Sequence, residues 1–447
     1  MEISNSQYIK LIVIHIFIGL LVFSFRDFSK LYAFLILLVG FYFIVKNKNA
    51  NNEVLLVCAY LVGSEAFLRM TKGFPIYEFG KYAVVFFCLI GMIYSGFSKN
   101  AIPYWIFIFL LAPSVIIATE SLNLTTDIRK NISFNISGPL CLGISSVYNY
   151  NRKITFLQLN KLLLFIGLPI LTTVVYLYFY TPDIKEVITG TASSSKSSGG
   201  FGPNQVATIL GLGLFVFFTR LILFSKNKYL VIINLIIVFN ITFRGLSTFS
   251  RGGMITSGLM ILILVLVIYL NSKSQGRYKL SLFLVGATII FSGIWMYTQV
   301  QTNGMIGLRY ANKDALGREK DSQFTGREEI AEGEINIFLE NPFLGVGMAK
   351  SVESRAEESG AGLPSHNEIT RTLAEQGALG ILGLVIILLT PLILYIDNKS
   401  NIYLLSFLVF WLLTINHSAM RLAAPAFIYS LALLKVKFDE ETITVHR

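Results

Sequence analysis

Apolar runs of roughly 15–22 residues follow one another along most of this chain, and runs of that length leave few structural options. A helix rises about 1.5 Å per residue, so such a run covers most or all of a ~30 Å hydrocarbon layer. Inside that layer every backbone N–H and C=O must find its partner within the protein, which a helix achieves by itself. About fourteen runs can be placed. They lie near residues 9–25, 30–46, 53–69, 81–97, 101–119, 134–148, 160–180, 204–222, 228–244, 252–271, 279–297, 370–395, 402–417 and 421–436. The sixth and the last two are short, so the expectation is an all-α polytopic membrane protein with about 12–14 transmembrane helices. Charged residues agree: they make up 14% of the chain, against about 25% in soluble domains.

The first run, beginning near Ile12, has no small-residue cleavage site after it and is expected to stay as the first helix. Lys and Arg favour the connections KNKN (46–49), SKN (98–100), NYNRK (149–153), SKNK (225–228) and NSKSQGRYK (271–279). Basic short loops mark the inner side. Both termini are then expected inside, and the loops 181–203 and 298–367 outside. Four stretches result: helices over 1–150, helices with a Ser/Gly-rich outer loop over 151–297, a large outer loop with helices of its own over 298–367, and C-terminal helices with a short tail over 368–447. The Ser/Gly-rich loop, TPDIKEVITGTASSSKSSGGFGPN, reads as flexible.

Several function classes fall away. The net charge of +11 is scattered between apolar runs, which suits lipid headgroups and not nucleic acid. Cys58, Cys88 and Cys141 sit inside apolar runs, so neither a disulfide framework nor a metal site is expected. No His-x-x-x-His or Cys-x-x-Cys spacing occurs, and no Walker loop or dinucleotide fingerprint, so no metal and no nucleotide cofactor is expected.

Three outer positions share one design. In QFTGREEIAEGEINIFLENP (323–342), Thr325 and Glu328 match a capping box, Asn341-Pro342 stops the helix, and Arg327 falls in its first turn. In LPSHNEIT (363–370), Ser365 and Glu368 match a second box, with His366 and Asn367 in the first turn. In STFSRGGMIT (247–256), Ser250 is the expected cap, Arg251 the first helical residue, and Gly252-Gly253 permit close backbone approach. Unpaired N–H groups, a positive dipole end and arginine forks together suit a phosphate or pyrophosphate. The same dipole disfavours imidazolium, so His366 is expected to be a neutral general base. The bland readings stand beside these: an arginine at a helix end as an interfacial anchor, a histidine as a capping or packing residue. Arg244, Arg309, Arg371 and Arg421 lie towards the same face and compete for the anion-binding role. His15 is expected to bond within the bundle, and His417 to sit at the interface.

The ordered set SRGG (250–253), GREEI…NPFLGVG (326–347) and His366-Asn367, then nine residues and Gly377-Ala-Leu-Gly380, resembles the O-antigen ligase and polymerase superfamily. GGFGPNQVATILGLG, around Asn204, is similar to that family's passage from loop to helix. The matches cover roughly residues 199–395, and the chain departs from the family at Ala331, where members often carry Trp. The resemblance implies a metal-independent, inverting glycosyltransferase of the membrane-embedded GT-C type, without cofactor, in the bacterial inner membrane. Its donor would be an undecaprenyl-pyrophosphate-linked glycan on the periplasmic face. Carried over by position, Arg251 and Arg327 bind the pyrophosphate; Asn204, Arg309, Asn367 and Arg371, towards the same face, are further expected substrate contacts. His366 takes the proton from the acceptor hydroxyl. The spacing leans to a ligase, whose acceptor is lipid A–core. A polymerase, whose acceptor is a second carrier-linked repeat, is the alternative. A protein O-oligosaccharyltransferase and a polysaccharide flippase rank below. Membrane lipid is the expected surrounding, and a chain-length regulator a candidate partner.

Overall fold

The computed structural model describes residues 3–320, 327–359 and 365–438. In chain order its helices begin with α1 (Asn5–Ser24), α2 (Phe28–Asn47), α3 (Glu53–Met70) and α4 (Phe79–Ser95). Next come α5 (Ile102–Leu110), α6 (Ala112–Ser121), α7 (Ile128–Asn149), α8 (Phe156–Tyr180), α9 (Pro203–Leu223), α10 (Lys228–Ser247), α11 (Arg251–Asn271) and α12 (Ser274–Gln301). The last are α13 (Met305–Tyr310), α14 (Arg327–Glu340), α15 (Lys350–Ser359), α16 (Glu368–Asp397), α17 (Leu404–His417) and α18 (Ala423–Leu431). Two three-residue strands, β1 (Lys153–Thr155) and β2 (Lys435–Lys437), pair in parallel.

Among the described residues nine helices are long and apolar enough to cross a membrane: α1, α2, α8 to α12, α16, and the composite helix Lys99–Ser121 that holds α5 and α6. The chain is thus an all-α polytopic membrane protein. α4 and α17 are shorter apolar helices. The expected run at 421–436 is helical only as far as Leu431; beyond it the backbone turns and pairs with β1. His15 is bonded as expected, its ring nitrogens 2.7 Å from the Leu11 carbonyl and 2.8 Å from the Tyr60 hydroxyl. His417 ends α17, with Nδ1 2.8 Å from the Leu413 carbonyl. The three cysteines are buried and free.

Contacts divide the chain into two units, each drawing on separated segments. Unit 1 is Met1–Val39, Ala59–Pro75 and Leu157–Asp321. Its centre is α9, buried from Gln205 to Thr219 and packed against α10 and α11. Gly253 makes the second packing possible: a methyl group there would strike the α9 backbone at Ala207. Small residues at a helix crossing let backbones approach where apolar burial alone gives no preference. Unit 2 is Gly40–Cys58, Ile76–Phe156 and Ser322–Arg447. Its centre is the fully buried α18, packed on α7 and α17. The Tyr104 and Tyr429 hydroxyls lie 2.7 Å apart, and Asn149 donates to Ser430 at 2.7 Å. Buried polar groups in apolar surroundings must be paired in this way.

Candidate active site

The loops that follow α8, α10 and α12 meet at one end of unit 1. Arg244 donates to the Thr181 carbonyl at 3.0 Å, Arg309 Nε to the Phe249 carbonyl at 3.0 Å, and Lys320 Nζ to the Thr191 hydroxyl at 2.9 Å. Local chemistry explains the turn between α10 and α11. The Thr248 hydroxyl donates back to the Gly245 carbonyl and accepts the Ser250 N–H, Phe249 takes a left-handed conformation (φ 57°), and the chain re-enters a helix at Arg251.

Arg251 is the first residue of α11, as expected. Ser250, however, does not cap α11 with its side chain; its hydroxyl donates to Asn204 Oδ1 at 2.8 Å. The tight α9–α11 crossing brings the first turn of α9 within reach, and the Ser250 hydroxyl is oriented by Asn204 instead of by the first turn of its own helix. SRGG and the Asn204 segment, far apart in sequence, are thereby joined. Arg251 Nη1 lies 3.5 Å from the Arg309 carbonyl, so Arg251 and Arg309 occupy one locus.

Lys320 belongs to the same locus and carried no signal in the sequence beyond its charge. Burial first, and then the charges of Arg309 and Arg251, hold its amine below the usual lysine range. Three cations sharing one field favour an anion that can sit among them. Tyr310 is pushed up to about 12 by burial, against the pull of Arg251 and Arg309, so it remains a neutral hydroxyl donor near pH 7.

In unit 2 the His366 segment is held by a buried ionic network that sequence reasoning missed. Glu334, in α14, is fully buried and accepts from Arg355 Nη1 at 2.8 Å, the Thr370 hydroxyl at 2.6 Å and the Ser365 hydroxyl at 3.2 Å. Burial raises its carboxyl above the ordinary value, and those donors, led by Thr370, oppose the shift. Removing one partner of a buried ion pair costs roughly 3–5 kcal/mol, because the other charge is left uncompensated. Residues 365 and 370 flank His366, so Glu334 clamps the segment from both sides. Arg421 adds a bond from Nη2 to the Ser365 carbonyl at 3.1 Å.

Ser365 and Glu368 do not form the expected capping box. Asn367 is the N-cap, its Oδ1 accepting the Ile369 N–H at 2.9 Å, and His366 precedes the helix instead of lying in its first turn. Ser365 is drawn to Glu334 and accepts the Asn367 N–H at 3.1 Å. Glu368 pairs with Arg371 and accepts the Met420 N–H at 3.4 Å. Each side chain found a stronger partner than the local cap. Arg371 is buried, paired with Glu368 and with Glu375 at 3.7 Å, and bonded to Asn135. Arg327 opens α14; Thr325, its expected cap, lies outside the described residues.

The nine residues between Asn367 and Gly377 form one straight piece of α16, which breaks at Gly377 (φ 58°, ψ −138°). That conformation is open essentially to glycine alone. The break frees backbone groups, and the NPFLGVG stretch satisfies them. Val346 N–H donates to the Ala374 carbonyl at 3.0 Å and Gly347 N–H to the Glu375 carbonyl at 3.2 Å. In return, Ala378 N–H donates to the Pro342 carbonyl at 2.8 Å. Two motifs of the sequence are therefore one structural joint.

No curated protein matches this chain. Residues 235–388 match the family model described as O-Antigen ligase, a stretch that contains Arg251, Arg309, Arg327, His366, Asn367 and Arg371, with Asn204 ahead of it. This integral membrane protein thus carries, over residues 235–388, a domain similar to the O-antigen ligase superfamily, a family of glycosyltransferase-like enzymes.

Proposed function

We propose that this protein is an O-antigen ligase: a GT-C-type transferase that moves a glycan from undecaprenyl pyrophosphate to a hydroxyl of lipid A–core, on the periplasmic face of the inner membrane. The observation that carries the reading is the match of residues 235–388 to the O-antigen ligase family, spanning the arginines and the histidine together. The cation locus of unit 1 supports the donor half of the reaction. Arg251 and Arg309, with Asn204 and Lys320 beside them, suit a pyrophosphate, and Arg327 at the start of α14 is the further donor ligand carried over from the family.

The chemistry assigned to the residues is an inverting displacement. The acceptor oxygen attacks the anomeric carbon, the bond from that carbon to the phosphate oxygen breaks, and the pyrophosphate leaves on its carrier with the electron pair. His366 removes the acceptor proton and later gives it to solvent. Asn367 orients the acceptor, and Arg371 holds the start of α16 through its carboxylate partners. Cations placed where charge develops contribute more in a dry, low-dielectric site than in water.

The test is a gel of lipopolysaccharide from a deletion host complemented with wild type, Arg251→Ala or His366→Ala at equal expression, with turnover measured in proteoliposomes. Bare lipid A–core in the deletion, with long carrier-linked chains accumulating, is the expected result. A single repeat reaching the core would make the protein a polymerase instead. Arg251→Ala should lower turnover about 10²-fold, as for other electrostatic stabilisers. His366→Ala should lower turnover by about 10²–10⁴-fold with little change in donor binding; a wild-type ladder from this variant removes His366 as the base.

A further inference from the structure

The Ser/Gly-rich loop between α8 and α9, expected from its composition to be flexible, is cross-bonded by its own side chains. Ser194 organises it: its carbonyl accepts from the Ser197 hydroxyl at 3.0 Å and the Ser198 hydroxyl at 3.1 Å, while its own hydroxyl accepts the Lys196 N–H at 3.2 Å. The Thr181 hydroxyl ties the loop back to the end of α8 by donating to the Lys196 carbonyl at 2.9 Å. Gly199 and Gly200, at φ 70° and 76°, turn the chain into α9. A loop that uses its serines to bond to itself keeps a shape, and this one encloses a cavity of about 320 Å³.

The cavity lining is specific in chemistry. Glu186, Thr189, Ser193 and Lys196 bring a carboxylate, two hydroxyls and an amine, and Phe249 forms part of the wall. Closely spaced acceptors and donors beside an aromatic residue are the groups that recognise a sugar, whose hydroxyls both donate and accept and whose C–H face is apolar. The volume lies at the small end of the roughly 300–1,000 Å³ found for ligand pockets, which suits one sugar residue better than a chain. Its place matters most. The Phe249 carbonyl accepts from Arg309, and two residues on stands Arg251. The cavity therefore lies next to the cation locus, with Phe249 common to both.

We propose that this cavity is the subsite for the sugar joined to the donor's pyrophosphate. The proposal rests on reading the Arg251–Arg309–Lys320 locus as the pyrophosphate site. Glu186 and Lys196 bind the sugar's hydroxyls, and the loop selects donors by that first residue, whatever follows it in the chain.

The full-length protein in nanodiscs is titrated with two probes: bare undecaprenyl pyrophosphate, and the carrier-linked glycan extracted from the host. Glu186→Gln removes the charge, and Gly190→Leu fills the space, since a side chain at Gly190 starts in open surroundings. Each should weaken the glycan-bearing probe about tenfold, Glu186→Gln by weakening a charged hydrogen bond and Gly190→Leu by its bulk, and leave the bare carrier unchanged. Unchanged affinity for both probes overturns the proposal, and so does an equal loss for both. Arg251→Ala separates this from the earlier reading. If it leaves bare-carrier binding intact, the pyrophosphate assignment fails, while the difference between the two probes still decides the subsite.

Discussion

Lys320 shows what a single residue can add to a site. Its amine is held below the usual lysine value by burial and by Arg309 and Arg251. An anion bound among the three charges favours the protonated amine and raises that value again, so binding is linked to proton uptake. Affinity for inorganic pyrophosphate should therefore fall as pH rises through the lowered lysine value. Calorimetry of wild type and Lys320→Met between pH 7 and pH 10 checks this: the variant should bind more weakly at pH 7 and lose the fall with pH. An identical slope in both would place Lys320 outside the site. Arg251 and Asn204 were expected from the sequence because each stands at a helix start within a recognisable stretch, whereas Arg309 was one of several arginines expected towards the same face. Lys320, Glu334 and Arg355 were not, because only folding brings their partners close, and a lone charge in a polar loop has no periodic signature.

Among the elements, α16 carries the clearest consequence. Its break at Gly377 places the residue where an alanine would collide with the Phe343 carbonyl, and in a conformation other residues rarely adopt. Gly377→Ala should destabilise the protein by about 2–3 kcal/mol or more, adding the steric collision to backbone strain. A fall in thermal midpoint of the detergent-solubilised variant, with loss of protein at the membrane, is the expected observation; an unchanged midpoint would mean that the joint closes without the glycine. The nine-residue spacing before Gly377 was visible in the sequence, but its meaning was not. The pattern marks a helix from its cap to its break, and the NPFLGVG stretch is the part that fills the break. The capping boxes show the opposite case. Ser365 and Glu368 fit a local rule that ignores tertiary competitors, and once Glu334 and Arg371 are buried beside them the local bond loses.

For the whole molecule, the run of apolar segments was enough to give the fold class, since twenty apolar residues in lipid have little alternative to a helix. The division into two interleaved units was not legible, because it depends on which helices pack and apolar surfaces in lipid carry little information about partners. Orientation rests on the basic short loops and can be read directly. The native thiols are buried, so background reaction is low. Asp183→Cys, in the Ser/Gly-rich loop, should react with an impermeant maleimide in intact spheroplasts. Lys226→Cys, in the connection between α9 and α10, should react only after permeabilisation. The reverse pattern would turn the protein over in its membrane and remove the periplasmic assignment.

The straight piece of α16 between Asn367 and Gly377 also limits how such a chain can change over time. One residue inserted there would rotate its histidine end by about 100° and lift it by about 1.5 Å relative to the joint at Gly377. The bonds from Ser365 and Thr370 to Glu334 would then miss. Length can drift in surface loops at small thermodynamic cost, but this segment behaves as a gauge rod: its amino acids are exchangeable within limits, and their number is not.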